Sequence, residues 1–240
     1  MALQYTTEQI SVHFAAMAAA LRAAGIPSSV VGAIRTKALL TGRKVTGNFQ
    51  TNRDPRWTLA QDHPQYATEI DCRVIFIKLA AQIFCFDNAP PLPSQLSRVP
   101  EDVKALAPEL NEICENYLGH EIKPNSFCDS LLLERFNFND MVAEGLNPVH
   151  GHSSFHIGHE NPSIKPKHTP GNVGWRTERS NLIQGDMTLR QSRIYFVKLI
   201  GRYFDLGEIH IDGEASHAEE ISGPVAADAE TQAAIEVLTE

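Results

Sequence analysis

Apolar positions in the first part of the chain recur at helical spacing. Residues 6–24 are rich in alanine and leucine, and this pattern predicts a helix. Thr6 and Gln9 stand three positions apart at its start, which is the spacing of a capping box. A glycine and a proline end this helix, and a second helix is predicted from residue 28 or 29 to residue 40.

Two further segments of the first half carry patterns typical of helices. Residues 66–86 are strongly apolar and predict a buried helix, although the VIFI run within them is also typical of a strand. Residues 100–118 predict one more helix, with a proline and a glutamate suited to its first turn. The pattern is transitional from 119 to 150, where LLLERFNFND is compatible with a strand or a helix. The first part of the chain is therefore predicted to be mainly helical.

The pattern changes after this transitional segment. A short apolar strand is predicted to end at His159, a long polar loop follows, and VGWRT at 173–177 predicts a second strand. A helix is predicted directly after it. Thr188 and Gln191 have the spacing of another capping box, which predicts the start of a further helix. The predicted order is strand, loop, strand and helix.

Composition indicates a globular chain. Of the 240 residues, 42% are hydrophobic and 21% are charged. The sequence has no apolar run of membrane-spanning length and no visible secretory signal, so we expect a cytoplasmic protein without a membrane partner. The four cysteines, which include Cys128, are widely spaced and form no CxxC pair, which argues against a zinc finger. Cys72, Cys85 and Cys114 are expected in the helical cores as small apolar residues.

The net charge of −8 is unevenly distributed. Residues 204–240 contain ten acidic side chains and no lysine or arginine, and the rest of the chain carries 21 basic and 19 acidic ones. Residues 150–203 carry eight basic and three acidic side chains. A local basic patch decides phosphate binding because salt screens charges beyond about 10 Å. The acidic total therefore does not exclude a nucleic-acid partner.

The polar segment 41–57, predicted to be a loop, is the first candidate for DNA contact. It carries basic side chains for phosphates and amides that can recognise adenine edges: Arg43, Lys44, Asn48, Gln50, Asn52, Arg53 and Arg56. An ordinary solvated loop explains the same composition, because amide residues also favour turns.

Three polar residues of the second half occupy successive elements of the predicted strand, loop and helix. His159 ends the predicted first strand, Asn172 follows 13 positions later in the loop, and Asn181 follows after nine more in the predicted helix. Each alone has a structural explanation, since Asn172 suits a turn and Asn181 suits a helix cap. Together with PGNVGW and SNLIQGD, the ordered set resembles the HNH endonucleases, a branch of the ββα-metal (His-Me finger) nucleases.

The resemblance, which covers about residues 150–204, implies a role for each residue. His159 takes a proton from the attacking water, which suits an imidazole with an ordinary pKa of about 6.5. Asn172 holds the loop and orients the histidine through a backbone carbonyl. Asn181 binds the metal through its amide oxygen, and an oxygen donor favours Mg²⁺ or Mn²⁺. Further DNA contacts are expected from the basic residues around the motif: Lys165, Lys167, Arg176 and Arg179.

One position departs from the family pattern. Many HNH enzymes carry a second metal ligand immediately before the general base, and this chain has Gly158 there. Either Asn181 holds a largely hydrated ion, or another side chain replaces the missing ligand. The candidates are His156, which is three positions before His159, and His152 or Asp140. The other nearby histidines, among them His168, are expected on a polar surface that faces the phosphates.

The patterns and the resemblance together predict an α+β protein. It comprises a mainly helical DNA-recognition and dimerisation part (1–125), a ββα-metal nuclease module (126–207) and an acidic tail (208–240). The implied function is sequence-specific cleavage of double-stranded DNA, most like a type II restriction endonuclease. Because one such site cuts one strand, a homodimer suits a palindromic target. The rivals are a homing, phage or nicking HNH endonuclease, and an inactive HNH protein that only binds nucleic acid.

Overall fold

The computed structural model describes residues 5–42, 44–46, 50–147 and 153–209, with the backbone alone described at 44–46 and 50–52. The Cα positions group into two units, Met1–Lys198 and Leu199–Glu240. The described helices are α1 (Thr7–Ala23), α2 (Ser28–Leu39), α3 (Glu69–Ile83), α4 (Glu101–Lys104), α5 (Leu110–Leu118), α6 (Phe138–Leu146), α7 (Glu178–Gln184) and α8 (Leu189–Asp205). Two antiparallel hairpins accompany them: β1 (Lys44–Thr46) with β2 (Gln50–Asn52), and β3 (Phe155–His159) with β4 (Val173–Thr177).

The first two helices begin and end close to the predicted positions. The hydroxyl of Thr6 accepts the backbone N–H of Gln9 at 3.2 Å, and the Gln9 side chain accepts the N–H of Thr6 at 2.8 Å. This reciprocal pair satisfies two N–H groups that the helix itself leaves unpaired. The capping box predicted for α1 is confirmed. The box predicted for α8 is confirmed too, with bonds of 2.8 and 3.1 Å between Thr188 and Gln191.

Helix α3 is the centre of the helical part, as its apolar run predicts. It packs against α1, α2 and α5, and its buried side chains are distributed around the whole helix rather than along one stripe. Burial of each large apolar side chain contributes roughly 1.5–3 kcal/mol, which favours this helix as the core. The Thr68 hydroxyl caps its start by accepting the N–H of Asp71 at 3.0 Å. Cys72 lies in this core, and Cys85 and Cys114 are also buried free thiols.

The single helix predicted over 100–118 is wrong. The segment contains α4, a 3₁₀ turn at Ala107–Glu109 and α5. Pro108 lies within that turn and cannot continue an α-helix, because it lacks an N–H and its ring clashes with the carbonyl four residues earlier. Helix α5 ends at Gly119, whose φ of 78° is the left-handed conformation that glycine adopts without strain.

Two other segments also differ from the sequence patterns. The predicted polar loop 41–57 contains the β1–β2 hairpin, in which Val45 lies opposite Thr51. The LLLERFNFND segment begins as a turn, and its last residues start α6. The side chain of Asn137 caps that helix by accepting the N–H of Asn139 at 2.8 Å.

Trp175 fixes the β3–β4 hairpin against the helical part. Its side chain is 1% exposed, and its indole N–H donates to the carbonyl of Leu79 in α3 at 2.8 Å. The ring of Phe86 lies 6.5 Å from that of Trp175 and 6.4 Å from that of Phe155. One hydrophobic core therefore runs through the predicted recognition part and the predicted nuclease module. Within the described part of the chain, no helix has the length and apolarity to cross a membrane.

Candidate active site

The β3–β4 hairpin presents its two faces to different neighbours. Its register pairs the following residues: His156 with Arg176, Gly158 with Gly174, and His159 with Val173. Successive side chains of a strand point to opposite faces, so position 158 and His159 belong to different faces. Phe155 and Trp175, which are both buried in the core, share the face of His159. His159 therefore faces the helical part of the protein, and Gly158 faces helix α7.

Asn172 closes the loop that joins the two strands. Its Oδ1 accepts the N–H of Asn161 at 2.7 Å, and its Nδ2 donates to the carbonyls of Asn161 at 2.9 Å and Lys167 at 2.7 Å. The backbone carbonyl of Asn172 accepts the N–H of Glu160 at 3.0 Å. Asn172 thus holds loop backbone together, and its carbonyl binds the residue after His159 rather than the imidazole.

A buried ion pair connects the hairpin to the start of α7. Asp129 and Arg176 are 0% and 1% exposed, with 3.4 Å between Oδ1 and Nη1. The carboxylate also accepts the hydroxyl of Ser180 at 2.7 Å, the N–H of Thr177 at 3.1 Å and two backbone N–H groups just after Asp129 at 2.7 and 2.9 Å. Burial alone raises the pKa of Asp129, but these hydrogen bonds, led by Ser180, lower it overall.

This arrangement corrects the expected role of Arg176. Its guanidinium is enclosed and paired with Asp129, so it is not available to contact a DNA phosphate. Its charge instead compensates the buried carboxylate that orders the start of α7. The neighbouring Arg179 has a side chain that is 76% exposed, and only a distant carboxylate, at 3.9 Å on Glu134, lies near it. Arg179 is the arginine of this pair that remains accessible to a phosphate.

Asn181 lies over the strand position that departs from the family pattern. A Cβ atom built on Gly158 stands 3.2 Å from Oδ1 of Asn181 and collides with Cγ of Arg176. The structure therefore brings the Asn181 amide to position 158 and leaves no room for a second side chain there. The absence of a ligand at 158 has a packing reason, because the aliphatic part of Arg176 occupies that space.

His159 has one buried nitrogen without a hydrogen-bond partner. The side chain is half-buried, and its Nε2 is fully enclosed and unpaired among the described residues. The pKa of His159 is lowered to about 4, mainly by burial and in addition by the nearby charges of Lys167 and Arg56. The imidazole is consequently neutral at pH 7, which is the form that a general base requires.

His168 and Arg56 lie in the interior rather than on a phosphate-facing surface. His168 is 1% exposed, and its Nε2 lies 2.8 Å from the carbonyl of Ala38 near the end of α2. Arg56 is 8% exposed and donates to the neighbouring carbonyl of Lys37 at 3.4 Å. The two side chains thus satisfy carbonyls that the last turn of α2 leaves unpaired. The sequence placed both among the DNA-facing residues, and burial corrects both assignments.

Gln184 is a positioning residue that the sequence did not single out. It is 2% exposed, and its Nε2 donates to the carbonyls of His159 at 2.8 Å and Met187 at 2.9 Å. A weaker contact of 3.4 Å reaches the carbonyl of Glu160. Helix α7 therefore fixes the end of β3, where the histidine stands. The glutamine of the QGD sequence at 184–186 is the feature from which this contact could have been predicted.

The structure describes two of the three candidates for a second metal ligand. His156 is half-buried and lines a cavity of about 780 Å³ with Lys37, Arg53 and Glu144. Asp140 is exposed on α6, and His152 lies outside the described residues. Among the residues whose side chains are described, no three His, Cys, Asp or Glu side chains converge on one point. The chain thus offers Asn181 as the oxygen donor nearest to position 158.

The remaining DNA-contact candidates fall into two groups. Some have side chains outside the described part of the chain: Arg43, Lys44, Asn48, Gln50 and Asn52. The others are exposed or half-buried: Arg53, Lys165, Lys167 and Arg179. The acidic tail predicted at 208–240 lies outside the described residues from position 210 onwards.

Acidification is expected to destabilise the fold through two histidines. The pKa of His159 is lowered to about 4 and that of His168 to about 3, in both cases first by burial, whereas the unfolded chain titrates near 6.5. Between pH 6.5 and 4 the unfolded state binds more protons than the folded state. The stability that the two neutral histidines contribute above pH 6.5 is therefore lost as the pH falls. Each histidine should lower the free energy of unfolding by about 2 kcal/mol at pH 5. Urea unfolding at pH 7.5 and pH 5 measures the difference, and equal free energies of unfolding would contradict it.

Comparison with known proteins gives structural neighbours and no family. No protein-family model matches the chain, and no curated protein matches it. The structure is similar to a solved structure described as "Crystal structure of a type II restriction endonuclease", with a TM-score of 0.44 and 15% sequence identity. The similarity covers 59% of this chain and 55% of the other, so this chain spans about half of that neighbour's length. A likeness at this level establishes neither a family nor a reaction for this chain.

Proposed function

We propose that this chain is a metal-dependent endodeoxyribonuclease of the HNH type, most like a type II restriction endonuclease. The observation that carries the proposal is the strand–loop–strand–helix unit. His159 ends its first strand, and Asn181 lies in the helix that packs against the other face of that strand, beside Gly158, the residue before His159. The loop asparagine closes the connection between the strands. The buried Asp129–Arg176 pair and Gln184 then give the unit a rigid frame, which a catalytic arrangement needs.

In this proposal His159 acts as the general base. Its imidazole is neutral at pH 7, so it can accept a proton from the water that attacks the phosphorus atom. Approach of the negatively charged phosphate raises the pKa of the imidazole toward the working range, because a nearby anion stabilises the protonated form. Arg179, which is exposed on α7, would neutralise the phosphate.

The residues fit a largely hydrated Mg²⁺ or Mn²⁺ ion. Asn181 supplies one amide oxygen beside Gly158, and Mg²⁺ commonly keeps several waters when a protein offers few ligands. Held by Asn181, the ion would stabilise the charge on the phosphate and on the departing 3′ oxygen. A site with one protein ligand also favours the second candidate function, an HNH protein that binds DNA without cutting it.

Double-stranded DNA is the proposed substrate, and a homodimer is the proposed assembly. The segment around Arg53 would contact DNA, together with the basic side chains Lys165 and Lys167 of the loop. One site cuts one strand, so cutting both strands of a palindrome requires two subunits related by two-fold symmetry. A discrete fragment pattern on DNA of known sequence would support this proposal over the homing, phage and nicking alternatives.

Metal removal tests the proposed function directly. Plasmid DNA is expected to be cut with Mg²⁺ or Mn²⁺ and to stay intact with EDTA. The Asn181→Ala variant should need more than about tenfold more Mg²⁺ for half-maximal cleavage, because loss of even an indirect metal partner costs that much. Asn139→Ala, at an exposed asparagine of α6, is the matched control. DNA binding without cleavage under every metal condition would favour the binding protein, and an unchanged Mg²⁺ titration would place the ion elsewhere.

A further inference from the structure

The hydrogen bond of His168 fixes its tautomer. Nε2 of His168 lies 2.8 Å from the carbonyl of Ala38, and a carbonyl oxygen only accepts. Nε2 must therefore carry the proton. In the neutral ring, Nδ1 then carries a lone pair and can only accept a hydrogen bond. His168 is kept neutral, since burial and the nearby charge of Arg56 lower its pKa.

Two imidazole nitrogens in this region are buried and unpartnered. Nδ1 of His168 and Nε2 of His159 both lack a hydrogen-bond partner among the described residues. An unpaired buried polar group costs roughly 1–3 kcal/mol, so two such atoms in neighbouring rings favour a mutual bond. The ring centroids are 5.9 Å apart. Two imidazoles joined by an N–H···N bond of about 3 Å have centroids about 5 Å apart, so a shift of about 1 Å or less joins them.

Arg56 is not bonded to this lone pair in the structure either, although its Nε–H is also buried without a partner among the described residues. Its guanidinium donates to the carbonyls of Gln65 at 3.3 Å and Lys37 at 3.4 Å, which hold it at the end of α2. No hydrogen bond joins it to His168 among the described contacts. Burial is the main reason that the pKa values of both imidazoles are lowered, and the charge of Arg56 lowers them further, because protonation beside a buried guanidinium is unfavourable.

We propose that His168 is a positioning residue for His159, with Nδ1 of His168 accepting the Nε2–H of His159. This bond orients the His159 ring and places its proton on Nε2. Nδ1 of His159 then carries the lone pair that takes the proton from water. The inference rests on the proposed function, in which His159 is the general base. It assigns to a side chain the orienting role that the HNH resemblance gives to a backbone carbonyl.

Two variants of His168 separate this role from the capping of α2. In His168→Asn, the side-chain oxygen replaces Nδ1 as the acceptor, and the bond to Ala38 is lost. In His168→Gln, the amide nitrogen replaces Nε2 as the donor to Ala38, and the acceptor facing His159 is lost. Positioning of His159 therefore predicts higher activity in the Asn variant, whereas a purely structural role predicts higher activity in the Gln variant.

The expected result is a loss of roughly 10–100-fold in kcat for His168→Gln, as for other outer partners of catalytic groups, and a loss of less than about fivefold for His168→Asn. Rates are measured on the full chain at a temperature where circular dichroism shows each variant folded. The reverse order, or equal losses in the two variants, overturns the proposal.

Histidine tautomers give a readout that does not depend on cleavage. In protein labelled with ¹⁵N-histidine, NMR is expected to detect the proton of His159 on Nε2 in the wild type and in His168→Asn, and a mixture of tautomers in His168→Gln. A single unchanged tautomer in all three proteins overturns the positioning role. If the wild type cuts no DNA but the tautomer shifts as expected, the nuclease assignment fails and the hydrogen bond between the histidines stands.

Discussion

Replacing His159 with alanine is expected to reduce DNA cleavage by roughly 10²–10⁴-fold, the contribution typical of a general base. The alanine variant cannot accept the proton of the attacking water. DNA affinity should stay within about threefold of the wild type, because a neutral and half-buried imidazole contributes little to phosphate attraction. Single-turnover cleavage of a plasmid and a gel-shift titration at one salt concentration measure the two effects.

The matched control for this variant is His120→Ala. His120 is an exposed histidine in the segment after α5, and its removal should leave both cleavage and binding unchanged. Equal cleavage by the His159 variant and the wild type would remove the catalytic assignment. A parallel loss of cleavage and binding would give His159 a structural role instead, because Nε2 lies in the interior.

Replacing Asp129 with alanine is expected to lower the free energy of unfolding by about 3–5 kcal/mol. The substitution leaves the charge of Arg176 buried at 1% exposure with no counter-charge. It also removes the acceptor of the Ser180 hydroxyl and of the Thr177 N–H at the start of α7. Urea unfolding at pH 7 measures the change, and Asp140→Ala on the surface of α6 is the control with an expected change below about 0.5 kcal/mol.

A double variant distinguishes a buried charge from a general loss of packing. Asp129→Leu combined with Arg176→Met removes both charges together, and it should recover much of the stability that the single alanine variant loses. If the double variant is as unstable as Asp129→Ala, the hydrogen bonds to α7 matter more than the ion pair. A cost below about 1 kcal/mol for Asp129→Ala would show that the pair does not hold α7 in place.

Local features of the fold were predictable because their physics is local. Both capping boxes join residues three positions apart, so spacing alone identifies them. The buried helix α3 lies within the strongly apolar run 66–86, for which a buried helix was predicted. The prediction over 100–118 was wrong because helical periodicity outweighed Pro108, whose effect on the backbone is local too.

The candidate site, too, could be predicted only in part from the sequence. The order of His159, Asn172 and Asn181 is visible in the sequence, and the structure brings Asn181 to position 158. Which residues surround them was not visible. Arg176 has the composition of a phosphate contact, and its burial depends on Asp129, 47 positions away. The metal ligands, the DNA contacts and the dimer remain predictions.

By itself the sequence determined the capped helices, the two strands flanking the long loop and the candidate catalytic residues in their order. Only the tertiary structure decided which of the charged and polar side chains turn inward. His168 meets the carbonyl of Ala38 across 130 positions, and no local pattern encodes such a contact. Burial depends on how distant elements pack, and burial is what converts an apparent surface histidine or arginine into an internal support of the proposed active site.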